Sequence, residues 1–168
     1  MLRKLVSMVW LLTAASSCGS ATIEPPSSES GSATLSVVTE KSSYSRAEAL
    51  ASSTGVRGTI TNTSDRAVYA RMGDAFNSAV EQDPIYVASG SDASLERADG
   101  NTWTGVDGAP LIEGIRMIER RPGRSYAFIA HTGSAAQAGS YRVTVGFRES
   151  SGASQTAGRA SSATFEIR

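Results

Sequence analysis

Tyr141-Arg142-Val143-Thr144-Val145-Gly146-Phe147 decides the fold class. Tyr141, Val143, Val145 and Phe147 alternate with Arg142, Thr144 and Gly146. A strand turns that period of two into one apolar and one polar face. One face packs into a core and the other meets water, as in an antiparallel sheet. Shorter stretches repeat the theme on both sides: 35–39, 56–62 with Val56 and Ile60 on one face, and 67–72 with Val68, Ala70 and Met72. Segments 85–88, 94–97, 102–104, 114–119, 125–130 and 164–167 follow suit. Turn-forming residues lie between them, among them Asn62-Thr63-Ser64-Asp65, Asp107-Gly108, Pro122-Gly123 and Gly133-Ser134. Segment 95–103 is predicted to be a tight hairpin, with Asp99-Gly100 supplying a positive φ. Helix signal is thin: 44–51 has room for about two turns, and 74–80 for one short turn beside Phe76. Many short strands with regular turns predict a β-sandwich or barrel.

The chain has 168 residues, 16 basic and 16 acidic, with one histidine and one cysteine. That length suits one domain. Zero formal charge argues against a nucleic-acid footprint. A lone cysteine excludes an intrachain disulfide, and with a lone histidine it excludes most His/Cys metal cages. Residues 1–17 read as a signal peptide: Arg3 and Lys4, an apolar run over 5–15, then small residues. Eleven helical residues span about 16 Å, short of the roughly 30 Å hydrocarbon core.

Ala15-Ser16-Ser17-Cys18 resembles the lipobox of bacterial lipoproteins, although that family usually has Leu where Ala15 stands. The resemblance implies that Cys18 is diacylated, becomes the new N-terminus and anchors the protein in a membrane. With Gly19 rather than Asp after it, the pattern is similar to that of lipoproteins sent to the outer membrane of bacteria that have two membranes. The alternative is ordinary cleavage that leaves a free thiol. Residues 18–33 then form the lipidated cysteine and a flexible tether, whose only large apolar residue is Ile23. Such a tether reaches roughly 20 Å, stiffened at Pro25-Pro26. The folded domain is expected over 34–168.

Ala138-Gly139-Ser140-Tyr141-Arg142-Val143 resembles the tyrosine corner of immunoglobulin-like domains, with Val143 where antibody domains have cysteine. Asn62-Thr63-Ser64-Asp65, Val68-Tyr69, Leu95-Glu96-Arg97, Asp99–Trp103 and Pro122–Tyr126 precede it in order. Together they resemble bacterial immunoglobulin-like domains of envelope lipoproteins. They are also similar to the BsuPI-type proteinase-inhibitor domain, which shares the aromatic after an Asp-Gly hairpin, the Pro-Gly turn and the Gly-x-Tyr corner. These resemblances imply an all-β, immunoglobulin-like antiparallel sandwich without a disulfide, with Tyr141 as its structural corner.

Motifs of chemistry are sparse. No Gly-x-Ser-x-Gly elbow, Ser-x-x-Lys, phosphate loop, dinucleotide or two-cysteine metal motif is present in the sequence. His131 is expected on a surface loop. Asp92, Glu96, Asp99 and Asp107 gather around the predicted hairpin and are expected to be solvated turn residues rather than calcium ligands. Arg116, Arg120, Arg121 and Arg124 form a candidate anion contact near Arg142 and Arg148, or else a charged outer strand face. Trp103 is a candidate core cap, or a platform for stacking a ligand. The expectation is a monomeric, non-enzymatic, lipid-anchored protein of the bacterial cell envelope with a binding or scaffolding domain. No cofactor, metal or nucleic acid is expected, and the partner is an envelope protein or polysaccharide. A proteinase-inhibitor-like domain is the alternative reading.

Overall fold

The computed structural model describes residues 34–51, 55–74, 84–88, 90–106, 114–133 and 136–168. The signal peptide, Cys18 and the tether lie outside the described residues, as do Asp107 and the expected turn after Asp74. The chain is all-β, with strands β1 (Leu35–Thr39), β2 (Ser43–Tyr44), β3 (Val56–Asn62), β4 (Val68–Asp74), β5 (Ile85–Val87) and β6 (Ala93–Asp99). They are followed by β7 (Thr102–Gly105), β8 (Gly114–Arg120), β9 (Ser125–Ala130), β10 (Gly139–Phe147), β11 (Gly158–Ser161) and β12 (Phe165–Ile167). Among the described residues one short helix, α1 (Arg46–Leu50), interrupts them. The first sheet runs β1-β3-β9-β5-β4-β8 and the second β2-β12-β10-β6-β7, with β11 also on β10.

The expected antiparallel pairing needs one correction. Each sheet is mixed, because β5 runs parallel to β9 and β2 runs parallel to β12. Both parallel partners are strands of two or three residues reached by longer connections, so no hairpin turn fixes their direction.

Alternation carries the core. Val56, Ile60, Val68, Ala70, Met72 and Phe128 come from the first sheet, and Leu95, Tyr141, Val143, Val145, Phe165 and Ile167 from the second. All twelve are nearly inaccessible to water. Burial of a large apolar side chain contributes about 1.5–3 kcal/mol, so this layer holds two sheets together without a covalent bridge. Gly58 lies on the same inner face of β3. A Cβ there would sit 2.2 Å from the Val38 carbonyl oxygen and 2.4 Å from the Phe128 ring, so the aromatic crosses the strand only because the side chain is missing.

Strand β2 and strand β11 went unread in the sequence. Ser43–Tyr44 is too short for a period, and Gly158-Arg159-Ala160-Ser161 lacks alternating large apolar residues. Helix α1 is held at its start by a capping box. The Glu48 backbone N–H donates to the Ser45 hydroxyl at 3.2 Å, and the Ser45 N–H donates to the Glu48 carboxylate at 2.8 Å. Lys41 donates to the same carboxylate at 2.6 Å. That bond first, then the Ser45 bonds, bring the Glu48 carboxyl down to about 2.

The two sheets meet at one corner through backbone and charge together. Tyr69 of β4 and Arg148, just past β10, exchange both backbone hydrogen bonds at 2.9 and 2.7 Å. Arg148 then grips Asp92 with two guanidinium bonds of 2.8 and 3.1 Å, and its third nitrogen donates to the Ala153 carbonyl. Asp92 also accepts the Arg71 backbone N–H at 2.7 Å. Both side chains of the Arg148–Asp92 pair are about 95% buried. Burial pulls the Asp92 carboxyl upward. The Arg148 and Arg71 hydrogen bonds, together with their charges, outweigh it and hold the group below the usual carboxylate value.

Candidate functional site

The β6–β7 hairpin presents two chemically different faces. Asp99 pairs with Thr102 across the turn, and Gly100 takes φ +58°, as the Asp-Gly pair requires. Alternation along β6 sends Ala93 and Leu95 into the core and then continues the same face with Arg97 and Asp99. Arg97 stands opposite Thr104 on one side and Tyr141 on the other. The inner face therefore changes from apolar to charged within two residues. There it forms an open recess of about 200 Å³ lined by Arg97, Asp99, Thr104, Gly105, Val106, Gln137 and Tyr141.

Gln137 is fixed from two directions. The Tyr141 hydroxyl, from a ring only 1% exposed, donates to the Gln137 backbone carbonyl at 2.7 Å. An Nη1 proton of Arg97 is donated to the Gln137 side-chain oxygen. The rest of the Arg97 guanidinium carries further donors, and the exposed Asp99 carboxylate makes no hydrogen bond or ion pair among the described residues. Tyr141 thus ties the loop before β10 to the recess. Arg97 and Gln137 were not singled out in the sequence. Their signal was faint: a charged pair at Arg97 and Asp99 on positions that continue the buried face of Leu95.

The outer face of the same hairpin is closed by polar contacts. Glu96 is 7% exposed and accepts from Arg142 at 2.8 Å, from Thr144 at 3.2 Å and from Ser94 at 3.2 Å. Arg159 lies 3.6 Å from its other oxygen. The Arg142 guanidinium sits 4.3 Å from the Trp103 ring centroid. Trp103 pairs with Ala98, which puts it on this outer face, half-buried beneath an arginine. It does not cap the core as expected; the hairpin register turns it to the other side.

Other expectations are also revised. Asp92 and Glu96 are buried ion-pair partners rather than solvated turn residues, and they face different surroundings from the exposed Asp99. The four clustered arginines do not share a surface. Arg116 is exposed on edge strand β8, Arg121 and Arg124 are exposed beside the turn, and Arg120 is 1% exposed with its guanidinium 4.1 Å from the Tyr126 ring centroid. Arg142 and Arg148 belong to the Glu96 and Asp92 pairs instead. Alternation decides this, because Arg120 falls opposite the core residue Val68.

His131 is buried, at 5% exposure, rather than on a surface loop. Its ring stacks on Tyr86 at 6.0 Å, and the backbone at Gly55 packs so closely that a Cβ there would lie 3.0 Å from it. Among the described residues neither ring nitrogen makes a hydrogen bond of ordinary geometry. Burial pushes the imidazole below its ordinary value, with the Ala51 backbone acting weakly the other way. A neighbour explains the placement: Thr132 donates to the Ala49 carbonyl through both its N–H and its hydroxyl, which draws the α1 end down over the sheet.

No protein-family model, curated protein or solved structure matches this chain. Among the described residues no cluster of three or more His, Cys, Asp or Glu side chains is arranged to hold a metal ion. No helix among them is long and apolar enough to cross a membrane.

Proposed function

We propose that this protein is a non-enzymatic, lipid-anchored module of a bacterial cell envelope, which holds an immunoglobulin-like domain away from the membrane to bind a partner. The anchor reading rests on the sequence: a basic start, an apolar run and the sole cysteine at its end. The binding reading rests on one observation above all, the charged recess beside the β6–β7 hairpin. Sheet positions that continue a core face are costly places for charge unless water or a ligand meets them. Arg97 and Asp99 occupy such positions and open to solvent. Elsewhere on the same strand, Glu96 is committed to two arginines, which makes it part of the scaffold rather than of a reactive site.

The full chain is to be expressed in a bacterium fed an alkyne-tagged palmitate, with its mass and membrane partition measured. The wild-type protein is expected to carry label at Cys18 and to sediment with membranes. Cys18→Ala is expected to lose both properties. Unlabelled Cys18 in a membrane-free protein contradicts the anchor.

A further inference from the structure

The recess at the end of the second sheet has a charge pattern that selects a class of ligand. We infer that it takes a small zwitterion of amino-acid to dipeptide size, whose carboxylate meets Arg97 and whose ammonium meets Asp99. This rests on the binding-module reading above and specifies its ligand.

Three observations carry it. First, the two charges are separate: Arg97 and Asp99 make no ion pair with each other, although they stand two residues apart on one face. Second, their spacing is set by the strand. Arg97 leans along it toward the turn, where a Cβ at Gly139 would lie 3.9 Å from its Cδ and its guanidinium reaches Gln137, so both charges face the same end of the recess. Third, about 200 Å³ lies below the roughly 300–1,000 Å³ of pockets for drug-sized ligands, so the occupant is small.

The surroundings complete the fit. Gln137 holds one Nη1 proton of Arg97, which orients the guanidinium and leaves its other N–H groups to pair with a carboxylate. The Gln137 backbone is itself fixed by the Tyr141 hydroxyl. Thr104 adds a hydroxyl from the facing strand, and Val106 gives an apolar wall. Arg97 and Asp99 thus recognise the two free ends, while the recess holds a small middle with little demand on its side chains.

The test is a nuclear magnetic resonance titration of the full chain in detergent with glycylglycine, N-acetyl-glycylglycine and glycylglycinamide. Glycylglycine is expected to shift the Arg97, Asp99 and Thr104 amide signals saturably at millimolar concentration. Blocking either end is expected to weaken binding about tenfold. Arg97→Gln removes the preference over the amide, and Asp99→Asn removes the preference over the acetylated form. Asp99 is exposed and Arg97 partly so, and unchanged spectra elsewhere report that each variant is folded. No saturable shift, or equal shifts from all three compounds, overturns the inference. Shifts confined to a different surface overturn it too, but leave the module a binding protein. A loss of label at Cys18 bears on the anchor alone.

Discussion

Among the described residues two arginines are buried, Arg148 and Arg120, and they are treated in opposite ways. Arg148 is surrounded by acceptors, with two bonds to Asp92 and one to the Ala153 carbonyl. Among the described residues Arg120 has no carboxylate and one of its terminal nitrogens has no hydrogen-bond partner; it lies against the Tyr126 ring. The titration behaviour follows. Asp92 raises the Arg148 guanidinium above its ordinary value, whereas burial brings Arg120 down to about 10. A buried charge with full pairing can hold two sheets in one arrangement, while a buried charge against a ring is tolerated by its long apolar stem. The first is a joint between layers and the second is a local compromise at a sheet end.

Substitutions can break that contrast. The largest effect is expected at Asp92. Asp92→Asn leaves the guanidinium inside without its countercharge and should cost about 3 kcal/mol, read by urea unfolding at neutral pH. Arg120→Met should do the reverse. It removes an unpaired charge and keeps much of the stem volume, so stability is expected to rise by about 1 kcal/mol. A marked loss would show that the Tyr126 contact stabilises more than burial costs.

A pH series sharpens the same comparison, because the two kinds of buried group act in different windows. In the folded chain His131 binds its proton less tightly than in the unfolded chain. The unfolded chain therefore takes up the proton first, and stability is expected to decline as pH falls below about 6.5. Asp92 is lowered too, but for an acid that shift is stabilising: its contribution persists above the unfolded carboxylate value and is lost only as pH falls below about 4. His131 is the only histidine, so His131→Phe should flatten the decline between about pH 6.5 and pH 5 and leave the acid limb in place. A slope unchanged by this variant would contradict a buried neutral imidazole.

The smallest expected effect is at the α1 cap. Ser45→Ala removes one half of the capping box and should cost about 1 kcal/mol or less, measured by the shift in thermal midpoint.

What was legible in the sequence follows from the range of each interaction. Segments 56–62 and 35–39 read correctly because a buried strand face writes its own period of two, and the Asp99-Gly100 turn because only glycine is at ease at that φ. The capping box is equally local, written in the sequence as Ser45-x-x-Glu48. Partner choice was not readable. Nothing near Asp92 announces Arg148, 56 residues away, and nothing near Glu96 announces Arg142. The same limit misplaced Trp103 and His131. Their exposure depends on which face a register selects and on a helix end that folds back over a sheet. The recess fell between these cases: Arg97 and Asp99 show their shared face in sequence, but Gln137 joins them only through the corner at Tyr141.

The central structural claim is that Asp92 and Arg148 act as one joint between the sheets. A double-mutant cycle of Asp92→Asn and Arg148→Met, followed by urea unfolding, tests it most directly. Each single variant should be strongly destabilised, and the double variant should be no less stable than the worse single, because the second change removes a charge already left alone. Losses that simply add would contradict the joint and reduce the corner to two unrelated side chains.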